Sequence, residues 1–337
     1  MKKLSFINKL IYLLNSLFAI LLLLAYSIPY IKPTTFPVIS ALSLITPILL
    51  IINLVFFIYW LVGLKKQFLL SFLTLLLGFN FSTTFYKFSS KDVISTPKTS
   101  IMSYNVRLFN LYNWIKNSDT KDNLIDFIVG ENPDILCLQE YHQQERLEKL
   151  YPYNYTYFTD NKNKIGQAVF SKYPIVASGS LNFKKSTNNA IYVDVVKHED
   201  TLRIYNIHLE SLHINPAKET VSSDNSQRLL KNIGKTFSKQ QEQVLLINKH
   251  LSKTTYKIVL CADFNNTAFS WAYKNLKTNF SDAFEEAGSG FGTSYRLKHI
   301  PLRIDFILTD KKINILNFKN YSVKFSDHYP IESLINF

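Results

Sequence analysis

The segment LCADFNNT, residues 260–267, carries an apolar run straight into Asp263, Asn265 and Asn266. Asp and Asn are poor strand formers and costly to bury without partners. Either an ordinary turn follows a buried strand, or the strand delivers polar groups to a site. Other short runs end in the same way: ILCLQ at Glu140, LRIYNI at His208, SIMSY at Asn105, RI at Asp305, and KFS at Asp327 and His328. Each residue has an ordinary reading of its own. Glu140 could cap a helix in YHQQERLEKL, His208 could be a satisfied core histidine, and Asp305 could pair with Arg303. Asp327 and Asn105 could be turn formers. Taken as a set, they offer carboxylates and imidazoles for proton transfer. They also offer oxygen ligands without cysteine, a donor set that suits a hard cation such as Mg²⁺ or Mn²⁺.

For such groups to act together, the elements that carry them must end at one place. Asp263 and Asn265 lie two apart and so face the same way on a strand. The same ends of neighbouring strands form one rim, and sites gather at such rims. The surrounding pattern is that of an α/β chain. SIMSYNV (100–106), the buried run DILCLQE (134–140) and YKIVLCADFN read as strands. GQAVFSKYPIVASGSLNF holds two strands around a Lys-Tyr-Pro turn, and AIYVDVVKHEDTLRIYNIHLES reads as a hairpin turning at Glu199–Asp200. RIDFILTD and YPIESLINF close the chain. Helices are expected over 120–133, ending near Gly130 with Pro133 beyond, and from about Ser226 to Leu251.

The local wording is also informative. SYNV, LCLQE, NIHLES, CADFNN, RIDFIL and SDHYPI, in this order, resemble the endonuclease/exonuclease/phosphatase superfamily of metal-dependent phosphoesterases over roughly residues 99–337. The resemblance implies a four-layer α/β sandwich of two mixed β-sheets face to face with helices outside, and a site at one end. It implies Glu140 as the main metal ligand, with Asn105 beside it and Asp327 as a direct or outer ligand, around one or two Mg²⁺ or Mn²⁺ ions. Asp263 would orient or deprotonate the attacking water, Asn265 would hydrogen-bond the phosphate, and His208 would donate to a phosphoryl oxygen. His328 would pair with Asp305, which fixes its tautomer and favours its charged form. Whether Asp263 or the Asp305–His328 pair is the base stays open. Arg107 stands where AP endonucleases of the superfamily tend to carry an acidic residue. The polar stretch 210–228 offers His213, Lys218 and Arg228 as substrate contacts, or is simply a solvated loop.

The N-terminal third has a different character. Residues 10–31, 38–64 and 67–86 are uncharged over 22, 27 and 20 positions, and roughly 20 apolar residues cross a bilayer. About three transmembrane helices within residues 1–86 are therefore expected, followed by a linker (87–98) and a catalytic domain (99–337). The first run is too long for a signal peptide, and SIPY is not a small-residue cleavage site. Lys2, Lys3, Lys9, Lys65 and Lys66 favour a cytoplasmic N-terminus and 65–66 turn, which leaves the catalytic domain on the non-cytoplasmic side of the cell membrane if three spans exist. Residues 1–98 hold nine Lys/Arg against Asp92 alone, and residues 99–337 hold 29 basic and 24 acidic residues. The formal +13 thus divides into +8 and +5. A catalytic part at +5 does not advertise polyanion binding. Cys137 and Cys261 sit in apolar strand-like runs and are expected as buried free thiols. Besides the bilayer, the implied partner is a phosphorylated substrate. Three functions remain: a phosphoesterase on lipid headgroups or small esters at the membrane surface, a nuclease on DNA or RNA, or an inactive membrane-anchored binding module.

Overall fold

The computed structural model describes residues 4–91, 98–212, 223–297 and 300–337. Helices α1 (Phe6–Ser27), α2 (Leu42–Val62), α3 (Phe68–Leu77) and α4 (Ser82–Phe85) make up the N-terminal part. The α1 segment, continued to Tyr30, and the α2 segment are each long and apolar enough to cross a membrane. They pack through Leu22, Ala25 and Leu49, and buried polar groups tie the helices together: Asn53 of α2 donates to the Phe18 carbonyl of α1 at 3.1 Å, and Ser71 of α3 donates to Asn15 of α1 at 2.6 Å. Such bonds hold helices together where lipid offers no alternative partner.

The uncharged run 67–86 does not form one continuous span. After α3 the chain bends by 60° into the segment Phe79–Phe85. The side chain of Tyr26 occupies the space beside Gly78, where a Cβ would lie 2.0 Å from its hydroxyl, and its ring stacks on Phe81 at 5.4 Å. The bend falls where Gly78 leaves room for the Tyr26 side chain, and α3 and its continuation make a third span only if the two pieces cross together.

Beyond the N-terminal part run β1 (Thr99–Asn105), α5 (Thr120–Glu131), β2 (Ile135–His142), α6 (Glu145–Leu150), β3 (Tyr153–Asp160), β4 (Ile165–Ser171), β5 (Ile175–Ser180), β6 (Ala190–Lys197) and β7 (Asp200–His208). Then come α7 (Ser223–Leu251), β8 (Lys257–Asp263), α8 (Trp271–Lys277), β9 (Phe280–Asp282), α9 (Ala283–Ala287) and a short hairpin of β10 (Tyr295–Leu297) and β11 (Ile300–Leu302). The chain closes with β12 (Asp305–Asp310), β13 (Asn314–Asn320) and β14 (Ile331–Asn336). One six-stranded sheet has the order β13-β14-β1-β2-β4-β3, the other β5-β6-β7-β8-β12-β9. Both are mixed: β1 runs parallel to β2 and β7 parallel to β8, while the other pairings are antiparallel.

Strand alternation builds the layers. Ile101, Ile135, Cys137, Ile204, Val259, Cys261 and Ile307 fill the space between the sheets, and both cysteines are free and buried there. The alternate residues Met102, Leu136 and Leu138 pack on α5 and α6, whereas Tyr205, Leu260 and Phe306 pack with residues of α7 and α8. The four-layer sandwich expected from the sequence is the one observed. Local differences have local causes. Helix α5 runs through Gly130 and ends at Asn132, whose left-handed backbone (φ 47°) closes it. The run YHQQERLEKL is helical only from Glu145, because β2 continues to His142.

The N-terminal part is bound to this sandwich. Gly234 on α7 lies so close to Pro37 that a Cβ would meet its carbonyl carbon at 2.7 Å. The Thr34 backbone N–H and hydroxyl both donate to Gln241 at 3.1 Å. Ser43, at the start of α2, donates to Asn266 at 2.9 Å and accepts at its carbonyl from the Thr267 hydroxyl at 2.6 Å. In the expected linker, Lys87 makes a bridge with Gly290, and residues 92–97 lie outside the described residues.

Candidate active site

Alternation also explains why the polar strand ends meet. Asn105, Asp263 and Asp305 continue the inner faces that carry Ile101, Cys261 and Ile307, and His208 continues the face of Ile204. Register aligns them: His208 pairs with Asp263 across the parallel β7–β8 ladder, and Asp305 pairs with Asp263 across the antiparallel β8–β12 ladder. Glu140 would point outward with Leu136 and Leu138. A bulge between Leu138 and Tyr141, with Glu140 at φ 47°, turns it to the rim instead. Bulges of this kind recur beside active sites, where they re-aim a side chain.

Asn105 stands between the two sheets. Its Nδ2 donates to Glu140 Oε1 at 3.2 Å and to Asp263 Oδ2 at 2.9 Å. His208 Nε2 lies 3.5 Å from Asp263 Oδ2 and 3.9 Å from Glu140 Oε1. His328 Nε2 lies 3.7 Å from the same Asp263 oxygen, and its Nδ1 lies 2.9 Å from Asp305 Oδ2. Asp263 is fully buried and so meets two imidazoles and one amide; its other oxygen accepts the Asn265 N–H at 2.8 Å. Asp327 pairs with Arg107 at 3.1 Å, and Arg107 stacks over Trp114 at 4.6 Å. Residues 107–110 all have φ between 42° and 59°, a left-handed run that β-branched residues would resist and that holds Arg107 at the rim.

Burial raises the Asp305 carboxyl to about 6, with His328 pulling it down and Asp263 pushing it up. Burial also opposes a charge on His328, but Asp305, Asp263 and Asp327 outweigh it, and the imidazole titrates well above its ordinary range. That direction suits His328 as a charged donor, while Asp263, Asp305 and His328 also present ligand atoms within 4.8 Å of one another, close enough to hold an ion. Oxygen donors for a cation are found at Glu140 and its neighbours. The Glu140 side chain is 35% exposed, and its Oε2 takes no hydrogen bond from a described residue. It opens with His208 into a cleft of about 470 Å³. That donor set fits a hard divalent ion.

The structure thus brings together Asn105, Arg107, Glu140, His208, Asp263, Asp305, Asp327 and His328. Asn265 adjoins them, but its side-chain amide is directed to the Leu209 carbonyl at 3.0 Å and Ser211 Oγ at 3.3 Å. Arg228 is exposed near the start of α7, and no contact among the described residues ties it to the rim. His213 and Lys218 lie outside the described residues. The Arg303–Asp305 pair does not form. Arg303 binds Asp282 at 2.6 Å, and Asp305 binds His328. Nor does Glu140 cap a helix, because α6 starts five residues later.

Sequence reasoning passed over the residues that hold the two sheets in register. Gln139 donates to Asn206 at 2.8 Å, and Asn206 donates to the Leu138 and Ala168 carbonyls at 2.8 and 2.9 Å. Both amides are fully buried, one residue before Glu140 and two before His208. Ser294 was passed over too; its Oγ accepts from the Asp305 N–H at 2.9 Å and fixes the start of β12. The signal was available: a Gln or Asn inside a buried run must find a partner.

A domain model of unknown function matches residues 8–85, and the model described as Endonuclease/Exonuclease/phosphatase family matches residues 102–328. An exodeoxyribonuclease of Bacillus subtilis (strain 168) is 25% identical over 276 residues, covering 70% of this chain and 99% of that protein. A DNA-(apurinic or apyrimidinic site) endonuclease of Dictyostelium discoideum is 24% identical over 291 residues, covering 73% and 74%. The crystal structure of D. rerio TDP2 humanized by 14 mutations superposes with a TM-score of 0.54 at 17% identity, covering 71% of this chain and 99% of that one. With the rim assembled at the end of the sandwich that the family model spans, the chain belongs to the endonuclease/exonuclease/phosphatase family, metal-dependent hydrolases of phosphoesters.

Proposed function

We propose that this is a membrane-anchored phosphoesterase acting on a lipid headgroup or small phosphate ester at the membrane surface, with Mg²⁺ or Mn²⁺. Hydrolysis adds water across one P–O bond and releases an alcohol, so the site must take a proton from water and return one to the leaving oxygen. Asp263 is suited to orient or deprotonate the water, while His208 and the charged His328 are suited to hold phosphoryl oxygens. Glu140, with Asn105 and Asp327 near it, would hold the ion. The bound ion would neutralise phosphate charge and acidify water.

The observation that carries the choice of substrate is the lining of the cleft beside Glu140 and His208. Gln167, Ser186, Thr187, Asn188, Asn189 and Ser211 contribute amides and hydroxyls, and no Lys or Arg is among its described lining residues. Nucleic-acid binding draws its affinity from Lys and Arg on phosphates; a single polar ester needs none beyond the reacting group. The competing nuclease reading is favoured by the activities of the two curated relatives. The discriminating experiment uses the purified full chain with Mg²⁺ on plasmid DNA, RNA, bis-p-nitrophenyl phosphate and phospholipids. Cleavage confined to lipid or small esters is the expected result, and plasmid nicking at low enzyme would overturn it.

We infer a non-cytoplasmic catalytic domain. The bonds from the loop between α1 and α2 to α7 and to the 264–267 segment support a reading in which loop and catalytic domain share one side of the bilayer. Lys9, Lys65 and Lys66 favour the cytoplasm for the opposite side, and this reading requires the bent α3–α4 segment to cross as a third span. An alkaline phosphatase reporter fused after Phe337 is expected to be active; an inactive fusion beside an active cytoplasmic reporter would reverse the orientation.

A further inference from the structure

A second cavity, of about 540 Å³, lies away from the catalytic rim. One wall comes from the N-terminal part: Pro29 and Tyr30 at the end of α1, and Asn80, Phe81 and Thr84 at the bend after α3. The other wall is catalytic domain, around α8, β9 and α9. Ends of apolar spans mark the depth at which hydrocarbon gives way to headgroups. Leu77 and Phe79, next to the bend, are 70% and 68% exposed and suit contact with acyl chains.

The charges in this cavity are balanced. Lys274, Lys277 and Lys311 line it together with Asp282, Glu285 and Glu286, three cations and three carboxylates. Five of these six have set partners or positions, among them Lys311, whose ammonium donates to the Thr278 carbonyl at 3.4 Å. Lys277 pairs with Glu285, Asp282 pairs with Arg303, and the Lys274 ammonium lies 4.4 Å from the centre of the Tyr30 ring. Neither Lys274 nor Lys311 has a carboxylate within ion-pair distance among the described residues, and Glu286 has no cation within that distance. Thr84, whose hydroxyl donates to Glu285 at 2.5 Å, joins the bend to the charged floor. The cavity therefore presents cations for a phosphate and a carboxylate for an ammonium, at headgroup depth and with no net charge.

We propose that this cavity binds the phosphoethanolamine headgroup of a membrane phospholipid, the phosphate on Lys274 and Lys311 and the ammonium on Glu286. A choline headgroup cannot donate hydrogen bonds to Glu286, and a headgroup with net negative charge would leave that carboxylate opposed. The inference rests on the membrane reading of α1–α3 but not on the substrate reading, because the cavity is apart from Glu140 and His208.

The test uses the full chain extracted in mild detergent from membranes of defined composition, with bound lipid counted by native mass spectrometry. Retention of one phosphatidylethanolamine per chain, in preference to phosphatidylcholine and phosphatidylglycerol, is expected. The double variant Lys274→Glu/Lys311→Glu is expected to lose retention by about tenfold, since lysines at a lipid surface each contribute to phosphate attraction. Equal retention of all three lipids, or unchanged retention in the double variant, would overturn the site. Release of the chain from membranes by alkaline carbonate would instead refute the membrane reading, so the two failures are separable. Circular dichroism of the double variant checks that it is folded.

Discussion

Two regions of this molecule gather charged side chains and use them in opposite ways. At the sandwich rim, Glu140, Asp263, Asp305 and Asp327 converge with His208, His328 and Arg107. Beneath α9, Arg303, Asp282, Tyr273, Glu285 and Lys277 form a chain in which each carboxylate meets a full cation or a hydroxyl. Arg303 and Asp305 are two positions apart in the chain, yet one belongs to each region. In the Arg303 network each carboxylate has a cation beside it, and the buried Arg303 Nε is the one guanidinium nitrogen with no hydrogen-bond partner among the described residues. At the rim, two imidazoles and an amide share one oxygen of Asp263, and burial first, with Asp263 adding to it, raises the Asp305 carboxyl. Unresolved opposition is a cost that a site retains and a scaffold removes. On that comparison we propose that the chemistry belongs to the rim and that the Arg303 network serves stability.

Substitutions can break or sharpen that division. Asp263→Asn keeps the shape and removes the charge that both imidazoles face; turnover is expected to fall by about 10³-fold or more, with no loss of melting temperature. A mutant that keeps its activity would place the chemistry elsewhere. Arg303→Met leaves Asp282 buried without its cation and is expected to cost about 3–5 kcal/mol in denaturant unfolding, while turnover per folded molecule stays unchanged. His208→Gln is expected to slow turnover by about 10²-fold without destabilising the fold, which calorimetry and kinetics read separately. Ser43→Val removes the hydroxyl that donates to the buried Asn266 oxygen, which keeps the Thr267 N–H as a donor, and is expected to cost about 1 kcal/mol; an unaltered melting temperature would mean that the N-terminal part merely rests against the catalytic domain.

The smallest expected effect is in pH. Burial raises the Glu285 carboxyl, but Lys277, Thr84 and Arg303 outweigh burial and hold it below its usual 4.5. A carboxylate depressed in the folded state adds stability that is complete above its unfolded value and lost as pH falls through the folded one. Glu285→Gln is therefore expected to flatten the acid limb of the stability curve and to leave the neutral-to-alkaline limb unchanged in slope.

The rim was legible because its residues are the wrong type for the end of an apolar strand, and period-two alternation sent most of them to one layer. Glu140 is the instructive exception, since alternation alone points it outward and a bulge, invisible in the residue pattern, turns it back. Long-range partners were not legible. Nothing near Arg303 in the chain points to Asp282, 21 residues earlier, and its near neighbour Asp305 was the natural guess. Hydropathy likewise carries no sign of the 60° bend within 67–86, because a window average does not register local packing such as that of Tyr26 beside Gly78. The half-exposed strand β3 drew no reading at all, as its tyrosines and threonines lack a clean apolar alternation. Arg228 was chosen from loop position alone, and position in a loop fixes no direction.

The most direct test of the central claim is a Mg²⁺ titration of bis-p-nitrophenyl phosphate hydrolysis by the full chain and by Glu140→Gln. Activity that is abolished by chelation, restored by Mg²⁺, and needs about tenfold or more metal in the variant is the result expected if the bulged Glu140 carboxylate holds the ion. Superimposable titrations for the two proteins would contradict the account.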